Sequence, residues 1–295
     1  MRVLNNSDKI VLQMTLSDFN KLSTEEAAKL LFSCCGSTTW VNSLLNYFPF
    51  QSEKQLVDLA TDNWYNKCTE EDWRLSFREH PKIGDVKSLT EKFAGKEQAS
   101  ITQATADTIN NLAIANTEYE NKFGFIFIVC ATGKSAEEML ALLQDRLQNS
   151  IAEELNIAMG EQQKITIIRF KKLLPLADFS FLKVSQITTH VLDTSIGLPG
   201  KDISIRLKSF HNNEWQTIAQ GITNTDGRIP DLLPSERNLI PACYKMVFNT
   251  GSYYAAKNSK TFYPEVEIMF NTFDDAHYHV PLLLNPFGYS TYRGS

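Results

Sequence analysis

The sequence predicts a multidomain α and β protein: an all-α domain over residues 1–175, a short join over 176–185 and an all-β sandwich over 186–295. Three observations carry this reading. Of the ten prolines, three (49, 81, 175) fall in the first part and seven after it. The first part repeats apolar residues at three- and four-residue steps behind serine caps. The second alternates apolar and polar residues with period two between turn signals.

Three helix starts carry a capping-box pattern: Ser23-Thr24-Glu25-Glu26, Ser52-Glu53-Lys54-Gln55 and Ser135-Ala136-Glu137-Glu138. In such a box the serine oxygen accepts an orphan backbone N–H, and the acid or amide three residues on reaches back. Apolar residues follow at helical spacing: Ala27, Leu30 and Leu31; Leu56, Leu59 and Ala60; Met139, Leu140, Leu143 and Leu147. A helix from Glu71 to Glu79 would be stopped by Pro81. That leaves His80 on the face of Trp73 and Phe77, at the rim of an apolar pocket. One long helix is expected from Ile151 to Leu174, with Gly160 its weak point. In the second part Ile203, Ile205 and Leu207 face one way, while Ser204, Arg206 and Lys208 face the other. Tyr244, Met246 and Phe248, then Val266, Ile268 and Phe270, repeat the pattern. Turns are expected at Gly197-Leu198-Pro199-Gly200, Asn224-Thr225-Asp226-Gly227 and Asn249-Thr250-Gly251.

Composition excludes several classes. Hydrophobic residues make up 43% and charged residues 21% of the 295, which rules out a disordered or fibrous chain. A net charge of −5 gives no global attraction to nucleic acid or anionic membrane. The longest apolar run, Phe123–Ala131, falls short of the roughly 18–20 residues that a membrane span needs. The first residues lack the apolar core of a signal peptide and the last are not a peroxisomal address, so a cytoplasmic location is expected. Five cysteines (34, 35, 68, 130, 243) form an odd set with no CxxC pair, which reads as reduced thiols.

Histidine is the scarce chemical residue, at 80, 190, 211, 277 and 279. Strand alternation puts Thr188, His190 and Leu192 on one face and Ile187, Thr189 and Val191 on the other. His277 and His279, two apart, share a face, and Arg228 follows the Asp226-Gly227 turn. Two histidines at that spacing plus a third could hold zinc. No acid or cysteine is placed as a further ligand, however, and Arg228 would repel a cation, so no metal is expected. Blander readings exist for each group. A histidine at a helix C-terminus can simply satisfy the dipole. Glu97-Gln98 can be surface helix residues, and the strand histidines can be ordinary strand residues.

Resemblance decides between these readings. The strings Phe32-Ser33-Cys34-Cys35-Gly36-Ser37-Thr38-Thr39-Trp40, His80-Pro81-Lys82-Ile83-Gly84-Asp85, Glu97-Gln98, and Asn116 and Tyr119 leading into Lys122-Phe123-Gly124-Phe125 occur in that order. Together they resemble the 2-oxo-4-hydroxy-4-carboxy-5-ureidoimidazoline (OHCU) decarboxylase family over about residues 12–174. The resemblance implies that His80 is the catalytic acid/base and Glu97 its partner. Pro81, Gln98 and the stretch Phe127, Ile128, Val129, Cys130 and Ala131 would line the substrate pocket. Ala94 stands in that pocket where the family commonly has a serine, which removes a side-chain contact or passes it to Lys96 or Ser100.

A second ordered set comprises Thr188-Thr189-His190-Val191-Leu192-Asp193, Thr225-Asp226-Gly227-Arg228, Tyr263-Pro264, His277-Tyr278-His279-Val280-Pro281-Leu282-Leu283 and Tyr292-Arg293-Gly294-Ser295. It resembles 5-hydroxyisourate hydrolase of the transthyretin-like family over about residues 185–295. What that implies is a two-sheet sandwich assembled as a homotetramer. His190, Arg228, His279 and Ser295 would be catalytic, with Tyr292 and Arg293 near the substrate. Whether His190 or His279 takes the proton from water stays open at this point.

The two resemblances together imply a bifunctional enzyme of urate breakdown. It would open 5-hydroxyisourate to OHCU and decarboxylate OHCU to (S)-allantoin, with small-molecule substrates and no nucleic-acid or membrane partner. Neither step needs a cofactor, because electrons released with carbon dioxide flow into the adjacent carbon–nitrogen double bond. The tetramer would form through the sandwich, with the helical domains pairing around it. The alternatives are a transthyretin-like small-molecule carrier and a fusion with one active domain.

Overall fold

The computed structural model describes residues 14–80, 103–132, 134–182 and 185–294. The helical part consists of α1 (Leu16–Phe19), α2 (Thr24–Cys35), α3 (Thr38–Leu45), α4 (Glu53–Asp62), a π-helical turn at Asn63–Lys67, α5 (Glu70–Arg78), α6 (Gln103–Phe123), α7 (Ala136–Arg146) and α8 (Ile151–Leu173). The boxes at Ser23/Glu26 and Ser135/Glu138 form in both directions. At Ser52 only half forms. Its oxygen accepts the Gln55 N–H, but the Gln55 amide oxygen takes the N–H of Gln51 at 2.7 Å, one residue earlier than expected.

Trp40, Trp64, Phe77, Leu31, Leu44 and Phe170 are completely buried in one helical core. Helix α8 runs through it, and so buries polar side chains as well: Glu154, Gln162, Gln163 and Thr166 are all within 1% of full burial. Such groups are tolerated only with partners. Glu154 is met by Arg146 (2.5 Å), Asn149 (2.7 Å) and the Tyr119 hydroxyl. The join is not a free tether, since Ala177, Phe179, Phe181 and Leu182 pack against the helical core.

The second part begins with β1 (Ile187–Thr188), β2 (Val191–Asp193) and β3 (Leu198–Pro199). It continues through β4 (Ser204–His211), β5 (Glu214–Ile222), β6 (Cys243–Phe248), helix α9 (Thr250–Ala256), β7 (Val266–Asn271), β8 (Tyr278–His279), β9 (Leu282–Asn285) and β10 (Gly288–Thr291). One sheet has the order β5-β4-β6-β7 and is antiparallel throughout. The other has the order β10-β9-β2-β3, with β2 and β9 parallel. Ile203, Ile205, Leu207, Met246 and Phe248 lie fully buried between the sheets, as the alternation requires. The segment Asn249-Thr250-Gly251 is not the expected turn. The Asn249 side chain accepts the Ser252 N–H and starts α9, because asparagine caps a helix as readily as it opens a turn.

The two parts meet where β5 packs on α8. The seam is polar: Asp145 accepts from Ser204 (2.6 Å) and Gln220 (2.5 Å), Glu153 accepts from Thr217 (2.8 Å), and Asn149 donates to Gln220 (2.8 Å). A cavity of about 460 Å³ lies along it, bordered by Val129, Cys130 and Lys164 on one side and Asn224 and Arg228 on the other.

Candidate active sites

In the helical domain, α5 ends at Arg78 and carries His80 just past its C-terminus, half-buried. Both ring nitrogens have partners that spacing did not suggest. Nε2 lies 2.6 Å from Oε1 of Gln162, and Nδ1 lies 3.4 Å from Nη2 of Arg169. The Gln162 amide nitrogen is directed toward the Cys35 carbonyl and Thr166 Oγ1, so its oxygen is turned to the imidazole. A guanidinium can only donate. His80 therefore accepts at Nδ1 and carries its proton on Nε2. Burial, with the Arg169 charge beside it, depresses its pKa from 6.5 to about 4, so the ring is neutral at pH 7. The neighbouring thiols are no rivals as nucleophiles: burial pushes Cys34 up to about 12 and Cys35 further still.

Phe127, Ile128, Val129 and Cys130 are buried and Ala131 partly so, in a segment without regular secondary structure between α6 and α7. Arg146 shapes this segment. Its guanidinium lies 4.8 Å from the Phe127 ring centre and donates to the Ile128 carbonyl at 2.8 Å. The Cys130 N–H donates to Glu161 at 2.7 Å. Among the described residues no hydrogen bond joins His80 to this segment. The link is α8, which holds Cys130 through Glu161 and His80 through the next residue, Gln162. Pro81, Ala94, Glu97 and Gln98 lie outside the described residues.

In the sandwich, four separate stretches of chain converge. His190 sits between β1 and β2 and bridges to Arg228; His279 ends β8 and bridges to Gly294. Arg228 Nη2 lies 3.1 Å from His190 Nδ1. By the same donor logic the neutral ring of His190 carries its proton on Nε2. The Asn224 side chain accepts the N–H groups of Asp226 and Arg228, both at 3.0 Å, and so builds the turn that presents Arg228. Gly227 is obligatory there, with φ +69° and a carbonyl 2.3 Å from where a Cβ would lie. Gly294 is needed for another reason: a Cβ would stand 2.4 Å from the His279 ring.

Thr188, expected only to share a face with His190, contributes a hydroxyl 2.9 Å from His279 Nδ1 and 2.8 Å from His277 Nε2. The pKa of His279 is lowered by partial burial and then by Arg228, His277 and His190; that of His190 is lowered by burial and then by Arg228. Arg293 stacks over the Tyr278 ring at 5.2 Å, and Tyr292 is exposed. Ser295 lies outside the described residues. Among the described residues no three His, Cys, Asp or Glu side chains are grouped to hold a metal, and no helix is long and apolar enough to cross a membrane.

Comparison with known proteins places two family models on the chain: OHCU decarboxylase over residues 20–171 and HIUase/transthyretin over residues 187–294. The "Uric acid degradation bifunctional protein TTL" of Arabidopsis thaliana is 32% identical, over 89% of this chain and 96% of its own length. A "Probable 5-hydroxyisourate hydrolase" of Caenorhabditis elegans is 46% identical over 38% of this chain and 82% of its own. A crystal structure of (S)-allantoin synthase aligns over 96% of this chain and all of its own, at 25% identity and a TM-score of 0.44.

Proposed function

We propose two consecutive steps of urate breakdown from one premise: the chain belongs to the OHCU decarboxylase family, and its second domain to the HIUase/transthyretin family. The second domain hydrolyses 5-hydroxyisourate to OHCU. The first decarboxylates OHCU to (S)-allantoin. The observation that carries the reading is the convergence of His190, Arg228, His279 and Gly294 from four stretches of the sandwich, in the same chain as a half-buried imidazole flanked by a guanidinium.

For hydrolysis, a water must lose a proton as it attacks a ring carbonyl. His190 has its Nδ1 occupied by Arg228 and presents an Nε2–H, so it is a donor. His279 has Nδ1 on Thr188 and Nε2 free of partners among the described residues. His279 is the base. Arg228 and His190 face the developing oxyanion as donors. When the carbon–nitrogen bond breaks, the proton on His279 passes to the leaving nitrogen. Tyr292 and Arg293 precede Gly294, which bridges to His279, and together with Ser295 would hold the substrate ring.

Decarboxylation consumes one proton, since a carboxylate leaves as carbon dioxide and a C–H bond replaces it. His80 is neutral in the free protein. An incoming carboxylate pairs with Arg169, cancels the charge that disfavours protonation and lets the imidazole take up that proton. Delivery to one face of the enol then gives a single enantiomer, with Glu97 as partner and Pro81, Ala94, Gln98 and the 127–131 stretch as lining.

Tetrameric assembly through the sandwich is part of this proposal. Leu198, Phe287, Tyr289 and Tyr292, on or beside the β10-β9-β2-β3 sheet, are all more than 40% exposed, an apolar surface that a partner would cover. The test of function is to generate 5-hydroxyisourate from urate in situ, add the protein and follow circular dichroism. Two sequential phases ending in an optically active product are expected; a racemic product at the spontaneous rate overturns the reading.

A further inference from the structure

We infer that Thr188 and His277 form a hydrogen-bond relay that sets the tautomer of His279, making His277 a positioning residue for hydrolysis. The inference rests on the proposed role of His279 as base.

A neutral imidazole is a base at Nε2 only while its proton sits on Nδ1. Among the described residues the Nδ1 of His279 meets one hydrogen-bond partner, the Thr188 hydroxyl at 2.9 Å. That hydroxyl has one proton and a second imidazole neighbour, Nε2 of His277, at 2.8 Å. With both rings neutral, the hydroxyl donates to one and accepts from the other. If it donates to His277, it accepts the Nδ1–H of His279, and Nε2 of His279 is a free lone pair. If it donates to His279 instead, Nε2 of His279 bears the proton and cannot take one from water. The state of His277 therefore selects the state of His279.

Position favours the productive arrangement. His279 stands where partial burial and then Arg228, His277 and His190 disfavour positive charge, while His277 is exposed to water. When His279 accepts the water proton at Nε2, its Nδ1 proton can move to Thr188 Oγ1, and the Thr188 proton to His277 Nε2. Each bond broken is matched by one formed, and the charge comes to rest on the solvated ring. The reverse shift returns the proton for the leaving nitrogen. The two imidazole rings are nearly parallel, 19° apart, with centres 6.4 Å apart, a spacing that one bridging hydroxyl spans.

The experiment compares Thr188→Val, Thr188→Ser, His277→Phe, His277→Gln and His279→Ala in the full chain, with 5-hydroxyisourate as substrate. Thr188→Val and His277→Phe should lower kcat about ten- to a hundredfold, part of what a general base supplies, with KM changed less than about twofold. Thr188→Ser restores the hydroxyl and should recover most of the lost rate; His277→Gln restores an acceptor for it but no ring to hold the charge, and should recover only the part that the tautomer supplies. ¹⁵N spectra should place the His279 proton on Nδ1 in the wild type and on a mixture of sites in Thr188→Val. If His279→Ala hydrolyses at the wild-type rate, the base assignment falls and the relay with it. If His279→Ala is inactive but Thr188→Val and His277→Phe keep wild-type kcat and ¹⁵N pattern, the relay alone is overturned.

Discussion

Replacing Arg169 by glutamine should raise the pKa of His80 part of the way back, and the size of the step tests what depresses it. Going from 6.5 to about 4 corresponds to about 3 kcal/mol of preference for the neutral ring. Burial is the larger cause and the Arg169 charge the second. A cation about 4 Å away would act with about 4 kcal/mol at an effective dielectric of 20, and partial exposure of both groups to water screens this to roughly a third. Arg169 therefore accounts for about one pKa unit, and His80 in Arg169→Gln should titrate near 5. Stability carries the same signature. Because the folded protein favours the neutral ring, the contribution is complete above pH 6.5 and is lost as pH falls toward the folded pKa. Between pH 6.5 and 4 the wild type should lose about 3 kcal/mol from this group, and the variant about 2. NMR titration of ¹³C-labelled histidines in the full chain, with His80→Gln to assign the signal, measures the pKa, and urea unfolding across the same pH range measures the slope. A value still at 4 would mean that the guanidinium does not act on the ring. A value back at 6.5 would mean that burial contributes nothing.

Two further outcomes probe the other site and the core. Gly294→Ala puts a methyl group 2.4 Å from the His279 ring, so the hydrolytic phase should slow at least about tenfold while decarboxylation and melting stay near wild type; an unchanged first phase would separate the 292–295 stretch from the reaction. Arg146→Ala leaves Glu154 charged and buried without its cation, with only Asn149 and the Tyr119 hydroxyl to meet it, and should cost about 3–5 kcal/mol of helical-domain stability; a loss below about 1 kcal/mol in urea unfolding would show that the pair is solvated in solution.

Period and punctuation made the architecture readable. Ile203, Ile205 and Leu207 alternate inward in the structure, and Ser23 and Ser135 cap the helices that their patterns announce. His190, Arg228 and His279 were legible as a group through resemblance, and the fold brings them together. Gln162 and Arg169 were not, for a physical reason: both sit inside a long helix, and their partners lie more than 80 residues away in sequence. No local pattern distinguishes a helical glutamine that orients an imidazole from one that faces water. Nothing local marks the seam residues Asp145 and Glu153, whose partners Gln220 and Thr217 come from β5, more than 60 residues away in sequence. Thr188 was placed on the right face by alternation, but its bridge between two imidazoles depends on the parallel pairing of β1 with β8, which periodicity does not encode.

The tautomers tie these observations to the two reactions. At His80 and at His190 a guanidinium donates to Nδ1, so both rings hold their proton on Nε2 and stay neutral. An imidazole locked in that way is a hydrogen-bond donor and a poor base. His279 differs in one respect: its Nδ1 meets a hydroxyl, which can accept as well as donate. Hydrolysis must remove a proton from water at the moment of attack, and the site proposed for it contains the one described imidazole of the three that is free to do so. Loss of carbon dioxide from a carboxylate needs no base, only a cation to position the leaving group and a proton supplied afterwards. The site proposed for that step has a guanidinium and an imidazole whose protonation the substrate's own charge would restore. The difference in what binds Nδ1 thus follows the difference in what each reaction asks of its histidine.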